Sequence, residues 1–543
     1  MSQRKQALSF RIFNSLFFSL LFVFFFLAPD FLAAFFNTRL HTVVPPSTVL
    51  LLLLAGLSIH FLPRRHAWAA LLFLFLLQVT ALGYLCYFGR SLTAREIPFI
   101  FHQWDEVVWM GWGTFLDYWY VLAACGTALA GNLWAASSGK APAKTRWAWL
   151  GLAAVVLLPA HPFRSASTEL SVSVASPYWP SIRSGTTAFA WLLARGVVPG
   201  PPGPAYAPYR VQRRSGSAAR NLVLAVADSC STRYMSLYGY GRPTTPLLER
   251  YRGTPGFLFR PGLSGSTASL ASMRVLLNLV REPGNGEALW SRRTNLVRLA
   301  REAGYRTIFL SAQRAKNTAL AGPEFAELAF HEDGPAGSPT AEGRDDALLA
   351  ALQKVPLGEK NFIVLHQRNL HNPYAWNTET HPECRLFPEA NSFGSYLNAM
   401  VCYDRWVDAL FRWCREHLEG ESYVFLTSDH GETFGEQGIN GHLTLDPLVA
   451  DVPAMVYGIR PDSDFFSQVE AFRVLTHHDL GLLMADRLGY EIHNPNAVEG
   501  SYVIQDINLE HGTRFIPVRI DTKGATFLPA RGLDEAKAAP ASP

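Results

Sequence analysis

The sequence predicts a chain of two unlike parts: five membrane-spanning helices, then an α/β/α domain built on a mainly parallel sheet. Three observations carry this reading. Leu, Phe, Ala and Trp crowd the first 165 of the 543 residues, whereas the remainder reads as an ordinary globular sequence. From residue 221 onward, short continuous apolar runs alternate with segments of helical character. Polar and ionisable residues collect where those runs end.

Five apolar segments stand out, at about Phe10–Leu27, Ser47–Leu62, Trp68–Phe88, Phe115–Ala136 and Trp147–Pro159. A helix needs roughly 20 apolar residues to cross the hydrocarbon core. The first, third and fourth are long enough alone, and apolar flanks lengthen the second and fifth. The first is read as a retained span rather than a signal peptide, because a small-residue cleavage site is missing and four apolar segments follow. Arg4, Lys5 and Arg11 precede span one, Arg64 and Arg65 separate spans two and three, and Lys140, Lys144 and Arg146 separate spans four and five. Placing these basic regions in the cytoplasm is self-consistent for five spans and leaves everything after about His161 outside it. In a bacterium, residues 1–163 would then be a multi-pass inner-membrane domain and the rest would lie in the periplasm.

Between spans three and four, Gly89–Thr114 is rich in Trp and Phe and carries Glu96, His102, Asp105 and Glu106. It suits an aromatic belt or the lining of a lipid-headgroup site. Residues 164–219 form a connector, with a short helix over Ala188–Arg195, a polyproline-type stretch and a basic run containing Arg210, Arg213 and Arg214. Such a run suits either anionic lipid or solvent. Cys86 and Cys125 fall in spans; Cys230, Cys384, Cys402 and Cys414 fall in the outer domain, where disulfides persist. Four cysteines permit three complete pairings. Cys384–Cys402 is favoured, since it closes a loop of moderate length between a Pro-rich segment and a helix; four reduced cysteines are the alternative.

Residues 220–500 carry the α/β pattern. Asn221–Ser229, Arg306–Ala312, Asn361–Gln367, Tyr423–Asp429 and Pro453–Ile459 read as strands buried on both faces. Helices are expected over Ser269–Leu279, Asn295–Ala303, Arg344–Lys354, Ser392–His417 and His477–Leu488. In such sheets ligands bind beyond the carboxyl ends of the strands. Residues 501–543 are an extension whose tail after about Leu533 has the composition of a disordered segment.

Asp228 ends the first strand, His366 and His371 follow the third, and Asp429, His430, Glu432, Glu436 and His442 follow the fourth. If the sheet is parallel, these ends share one edge and make a divalent-metal site. Mixed carboxylate and imidazole ligation suits Zn2+, with Mn2+ possible. Each residue has a plainer role open to it: Asp228 as a helix cap, His366 as a core histidine, His371 as a loop residue. The Asp429-His430-Gly431-Glu432 run resists that treatment, because unpaired buried charge is costly. Ser264, Ser266, Thr267 and Ser269 offer a hydroxyl at a helix start, where the dipole and free amides favour phosphate. Capping alone is the default for such a cluster.

The motifs "NLVLAVADSCSTRYMSLYGYGRPTTPLLERY", "SGSTA", "LHQRNLH", "CYDRW", "TSDHGETFGEQGINGH", "DVPAMVYG" and "LTHHDLGLLMADRLGY" occur in the order seen in phosphoethanolamine transferases, and the chain resembles that family of the alkaline phosphatase and sulfatase superfamily. The resemblance implies an alkaline-phosphatase-like periplasmic domain and a ping-pong reaction. A zinc-bound threonine takes phosphoethanolamine from phosphatidylethanolamine, and a lipid or glycan acceptor (lipid A, a core sugar or a periplasmic glucan) then receives it. It assigns Asp228, Asp429 and His430 to the metal, Thr267 to the nucleophile and Glu432 to an acidic role beside it. His371 and His442 would hold the phosphoryl group or a second metal, and Lys316 would bind phosphate. Members commonly carry Glu where this chain has Asp228, and Ser264 and Met273 stand near places where many members have cysteines. Ser266 remains a rival nucleophile. Phosphoglycerol transfer, or phosphate or sulfate ester hydrolysis, is the alternative within the superfamily, although no Cys/Ser-x-Pro-x-Arg motif lies near Thr267. The expected partners are the donor lipid, the acceptor and the membrane, with no nucleic acid.

Overall fold

The computed structural model describes residues 2–37, 42–88, 118–138, 145–157, 180–195, 204–214, 218–334, 344–507 and 514–533, with a few isolated positions between them. Most of Gly89–Thr114, much of the connector and the tail after Leu533 lie outside the described residues. The chain divides into two compact units, Met1–Pro201 with Gly435–Asn440, and Pro202–Phe434 with Gly441–Pro543.

In the first unit all five apolar segments are helical, at Ser2–Phe36, Pro46–His60, Arg64–Phe88, Trp119–Ser138 and Thr145–Leu157. Ser15–Phe36 and Arg64–Phe88 are long and apolar enough to cross a membrane. Phe18, Phe22 and Phe26, spaced four apart on one helix face, pack in one cluster with Leu52, Ala55 and Ile59 of the second helix. Phe24 points the other way and is 63 % exposed, so the outside of the bundle is apolar too. Two polar side chains inside, Gln78 and Asp30, find partners within the unit, which suits an apolar surrounding. Gln78 Nε2 donates to the Phe26 carbonyl at 2.8 Å. Asp30 accepts from the amide and hydroxyl of Ser181 at 2.7 and 2.8 Å and so caps the helix Ser181–Arg195.

The second unit is built on an eight-stranded sheet. In chain order its strands are β1 (Asn221–Ala227), β2 (Phe257–Leu263), β3 (Arg306–Ser311), β4 (Leu328–Phe330), β5 (Asn361–His366), β6 (Ser422–Ser428), β7 (Asp451–Ile459) and β8 (Leu475–Thr476). Across the sheet they run β8-β2-β7-β6-β1-β5-β3-β4. Seven strands point one way and β7 is reversed between β2 and β6, so the sheet is mixed. The link from β6 to β7 explains the reversal. A parallel return needs a crossover of a dozen or more residues, usually a helix across the sheet. Residues 429–450 instead end in the single turn Pro447–Ala450, and β7 starts at the edge where β6 ended.

Side chains alternate across β1. Val223, Ala225 and Ala227 pack with Tyr396, Met400 and Val407 of the helix Ser392–His417. Leu222, Leu224 and Val226 pack with the helices Ser269–Leu277, Leu296–Glu302 and His477–Arg487. This is the α/β/α layering expected. Two features go beyond the sequence reading. Residues 501–532 hold a second sheet, β9 (Ser501–Gln505), β10 (Arg514–Asp521), β11 (Gly524–Phe527) and β12 (Arg531–Gly532), with β10 pairing the other three. The basic run is not loose: Arg210–Arg213 pairs antiparallel with Tyr490–His493, and Arg214 meets Asp486 and Glu491 at 2.7 and 3.1 Å. Cys384 is bonded to Cys402, while Cys230 and Cys414 are free and buried.

Candidate active site

Strand register sets the centre of the site. In the parallel ladders Ala227 of β1 lies beside Ser428 of β6, and Val226 beside His366 of β5. The next residues of β1 and β6 are Asp228 and Asp429, so two carboxylates emerge side by side at the carboxyl edge. The chain then turns sharply at Ser229, whose φ of 58° is a left-handed conformation unfavourable to a residue with a side chain. Surrounding bonds hold it there. The Ser229 amide donates to Asp429 Oδ1 at 3.1 Å, its hydroxyl to Asp228 Oδ1 at 2.8 Å, and its carbonyl accepts from Tyr396 OH at 2.8 Å.

His430 follows. Its Nδ1 lies 3.0 Å from the Gly431 carbonyl, which can only accept, so Nδ1 carries the proton and Nε2 presents a lone pair. Nε2 stands 3.9 Å from Asp228 Oδ1 and 3.6 Å from Asp429 Oδ2. One donor atom from each of Asp228, Asp429 and His430 lies within 4.8 Å of the others, and all three residues are buried. Burial and repulsion from Asp429 push the Asp228 carboxyl well above its usual range. Burial acts on Asp429 as well, but the neighbouring His430 and His366 together with hydrogen bonds from Ser269 and the Ser229 amide outweigh it and hold that carboxyl low. Three electron-pair donors facing one another in a dry corner suit a divalent cation.

The hydroxyl cluster after β2 resolves by its bonds. Ser264 Oγ donates to the Ser266 carbonyl at 2.6 Å and Ser266 Oγ to the Asp506 carbonyl at 3.1 Å. Ser269 Oγ is 3.2 Å from His430 Nε2. Thr267 Oγ1 is buried and has no hydrogen-bond partner, and neither has Asp429 Oδ2. Two orphaned buried oxygens, one on Thr267 two residues from Ser269 and one on Asp429 next to His430, fit a cation site better than a finished hydrogen-bond network. The loop is pinned from outside: Gln505 N of β9 donates to the Gly265 carbonyl at 2.9 Å, and Leu443 N to the Thr267 carbonyl at 3.0 Å.

A second row of groups adjoins. The rings of His430 and His442 stack at 4.3 Å, and His371 lies 6.0 Å from His442 between ring centres. Burial, reinforced by His371, pushes His442 down to about 3, so its imidazole is neutral. Its Nδ1 is 3.1 Å from Glu432 Oε2, and burial pushes Glu432 up to about 7. His371 Nδ1 donates to the Asn372 carbonyl at 2.6 Å. His366 is deeper, with Nδ1 3.1 Å from Ser311 Oγ, and burial lowers it to about 4. Lys316 is half-buried in the turn Ala315–Thr318, and Glu436 lies in the turn Glu436–Gly438. Two residues of the site, Gln313 and Ser229, carry no signal in the motifs. Gln313 stands two residues beyond β3, at the same edge as Asp228, so the strand-end rule applied to every strand would have raised it.

Residues 220–459 match the sulfatase family. The phosphoethanolamine transferase EptC of Escherichia coli is 26% identical over 236 residues, covering 40% of this chain and 40% of that protein. The Kdo(2)-lipid A phosphoethanolamine 7''-transferase of Salmonella typhimurium is 25% identical over 234 residues, again 40% of each. The chain thus spans about two fifths of the curated relatives it matches. Over its wider length it shares a fold with the integral membrane protein lipooligosaccharide phosphoethanolamine transferase A of Neisseria meningitidis, with a TM-score of 0.57 and 18% identity over 88% of this chain and 95% of that one. Residues 220–459 thus match the sulfatase family, in a chain similar to phosphoethanolamine transferases.

Proposed function

We propose that the chain is a membrane-bound, metal-dependent transferase that moves phosphoethanolamine from phosphatidylethanolamine to a hydroxyl of an envelope glycolipid or glycan. Its five apolar helices would all span the inner membrane, with the α/β/α domain in the periplasm. One observation carries the reading: the donors of Asp228, Asp429 and His430 converge, and two residues from Ser269, which touches His430, the Thr267 hydroxyl is left without a partner.

Asp228, Asp429, His430 and Thr267 would hold Zn2+, or Mn2+ in its place. When bound, the cation supplies positive charge that lowers the hydroxyl pKa and offsets phosphoryl charge. Thr267 Oγ forms a bond to phosphorus as the phosphorus–oxygen bond to diacylglycerol breaks, and diacylglycerol leaves with a proton. His371, His442 and Lys316 would orient the phosphoryl group. Glu432, poised near 7, suits taking a proton from the acceptor hydroxyl as that oxygen displaces Thr267.

The test uses purified full-length protein with zinc and labelled phosphatidylethanolamine, followed by mass spectrometry of the peptide containing residue 267. Phosphoethanolamine on Thr267 with release of diacylglycerol is expected. A modified Ser266 would move the nucleophile, a phosphoglycerol adduct from phosphatidylglycerol would change the donor, and no adduct with no diacylglycerol would sink the reading.

A further inference from the structure

We propose that Gln313 is a positioning residue that fixes the Asp228 carboxylate for metal, in a chain of side-chain amides that no strand end supplies alone. The inference rests on the reading of Asp228 as a metal ligand. Gln313 Nε2 donates to Asp228 Oδ2 at 2.7 Å and to the Gln367 backbone carbonyl at 3.0 Å. A carbonyl only accepts, so the second bond fixes the orientation of the amide and makes the group facing Asp228 a donor. Asn317 Nδ2 donates to Gln313 Oε1 at 3.1 Å and braces the far side. Gln313 and Asn317 are buried.

The topology makes this contact available. β3, β5 and β1 are neighbours in the sheet, and Ser311, His366 and Val226 share one level of the ladder. Gln313, two residues past the end of β3, reaches over the end of β5 to the end of β1. With Ser229 Oγ on Oδ1 at 2.8 Å, both Asp228 oxygens then accept one bond each. Each keeps a lone pair for a cation, while rotation of the carboxylate is blocked. A short Asp side chain has less freedom to correct its aim than a Glu, so its orientation must come from outside. Groups that orient ligands typically change metal affinity by about 10–100-fold when removed.

The test is made on the full-length protein in detergent, stripped of metal with a chelator and titrated with zinc against a chromogenic competitor. Four variants are compared with the parent: Asp228→Ala, Gln313→Met, the double variant of these two, and Asn317→Ala. Met fills nearly the same space as Gln but cannot donate. Gln313→Met is expected to bind zinc at least about tenfold more weakly, with the metal-free melting temperature unchanged. The double variant with Asp228→Ala should bind no more weakly than Asp228→Ala alone. Gln313→Met within threefold of the parent, while Asp228→Ala loses zinc, overturns this proposal and leaves the metal reading standing. Zinc retained by Asp228→Ala strikes Asp228 from the ligand set and overturns the reading on which this proposal rests. Should Gln313→Met fail to fold, Asn317→Ala carries the test: weaker zinc binding supports the relay and unchanged binding overturns it.

Discussion

Thr267 differs from its three hydroxyl neighbours by having nothing to bond to. Thr267→Ala should lower transfer by roughly a thousandfold or more and abolish the labelled peptide, whereas Ser266→Ala should keep the adduct, since Ser266 Oγ is engaged by a backbone carbonyl. Comparison of adduct mass and turnover checks both. Asp429→Ala should remove bound zinc, read by metal analysis of the purified protein; stoichiometric zinc in that variant would strike Asp429 from the ligand set. Asp404 makes a pH prediction away from the proposed metal site. Asp404 accepts from the amides of Leu247 and Leu248 at 2.7 and 2.8 Å, and burial still pushes it up to about 7. The folded state therefore holds this proton more tightly than the unfolded chain, whose Asp titrates near 4. The stabilising contribution is complete below about pH 4 and is lost as pH rises to about 7, a change of roughly 3–4 kcal/mol. Melting temperature should fall from pH 5 to 8 in the parent and fall less in Asp404→Asn.

At the level of elements, the sequence is most legible where one physical signal dominates. The helix expected over Ser392–His417 is found at those residues, and the five apolar runs are all strands. β2 escapes the sequence reading because Phe-Leu-Phe-Arg-Pro-Gly-Leu carries Pro261 and Gly262, which argue against an inner strand. In the fold Pro261 faces Pro453 of β7, so the missing donors fall at one level of the ladder. With β2 goes the position of the loop that carries Thr267, which that strand delivers. Gly265 in that loop has no room to spare: an added Cβ would sit 2.2 Å from Val275 Cγ1. Gly265→Ala should destabilise by about 1–3 kcal/mol and lower turnover with it. The Cys384–Cys402 bond spans 18 residues and is worth about 3 kcal/mol by loop closure; reductant should lower the melting temperature, and Cys384→Ser should remove that sensitivity.

For the whole molecule, composition alone separates an apolar first part from an ordinary globular remainder, and the fold divides into two compact units, Met1–Pro201 with Gly435–Asn440 and the rest of the chain. Membrane insertion makes its own prediction. The full chain should stay in the membrane fraction after carbonate washing, and extraction into the supernatant would remove the spanning reading. What the sequence by itself determined was set by local periodicity and by the chain's own polarity. It determined the two-part plan, five of the eight sheet strands and five of the helices packed on them, and the residue types at the strand ends. The tertiary structure alone decided what depends on non-local register. Asp228 meets Asp429 only because β1 and β6 are adjacent and in step. β7 is reversed because its link never crosses the sheet. Thr267 is singled out by the bonds that engage Ser264, Ser266 and Ser269, two of which reach far along the chain. Gln313 reaches Asp228 across a third strand. Most of these contacts join residues tens to hundreds of positions apart, and no local pattern encodes them.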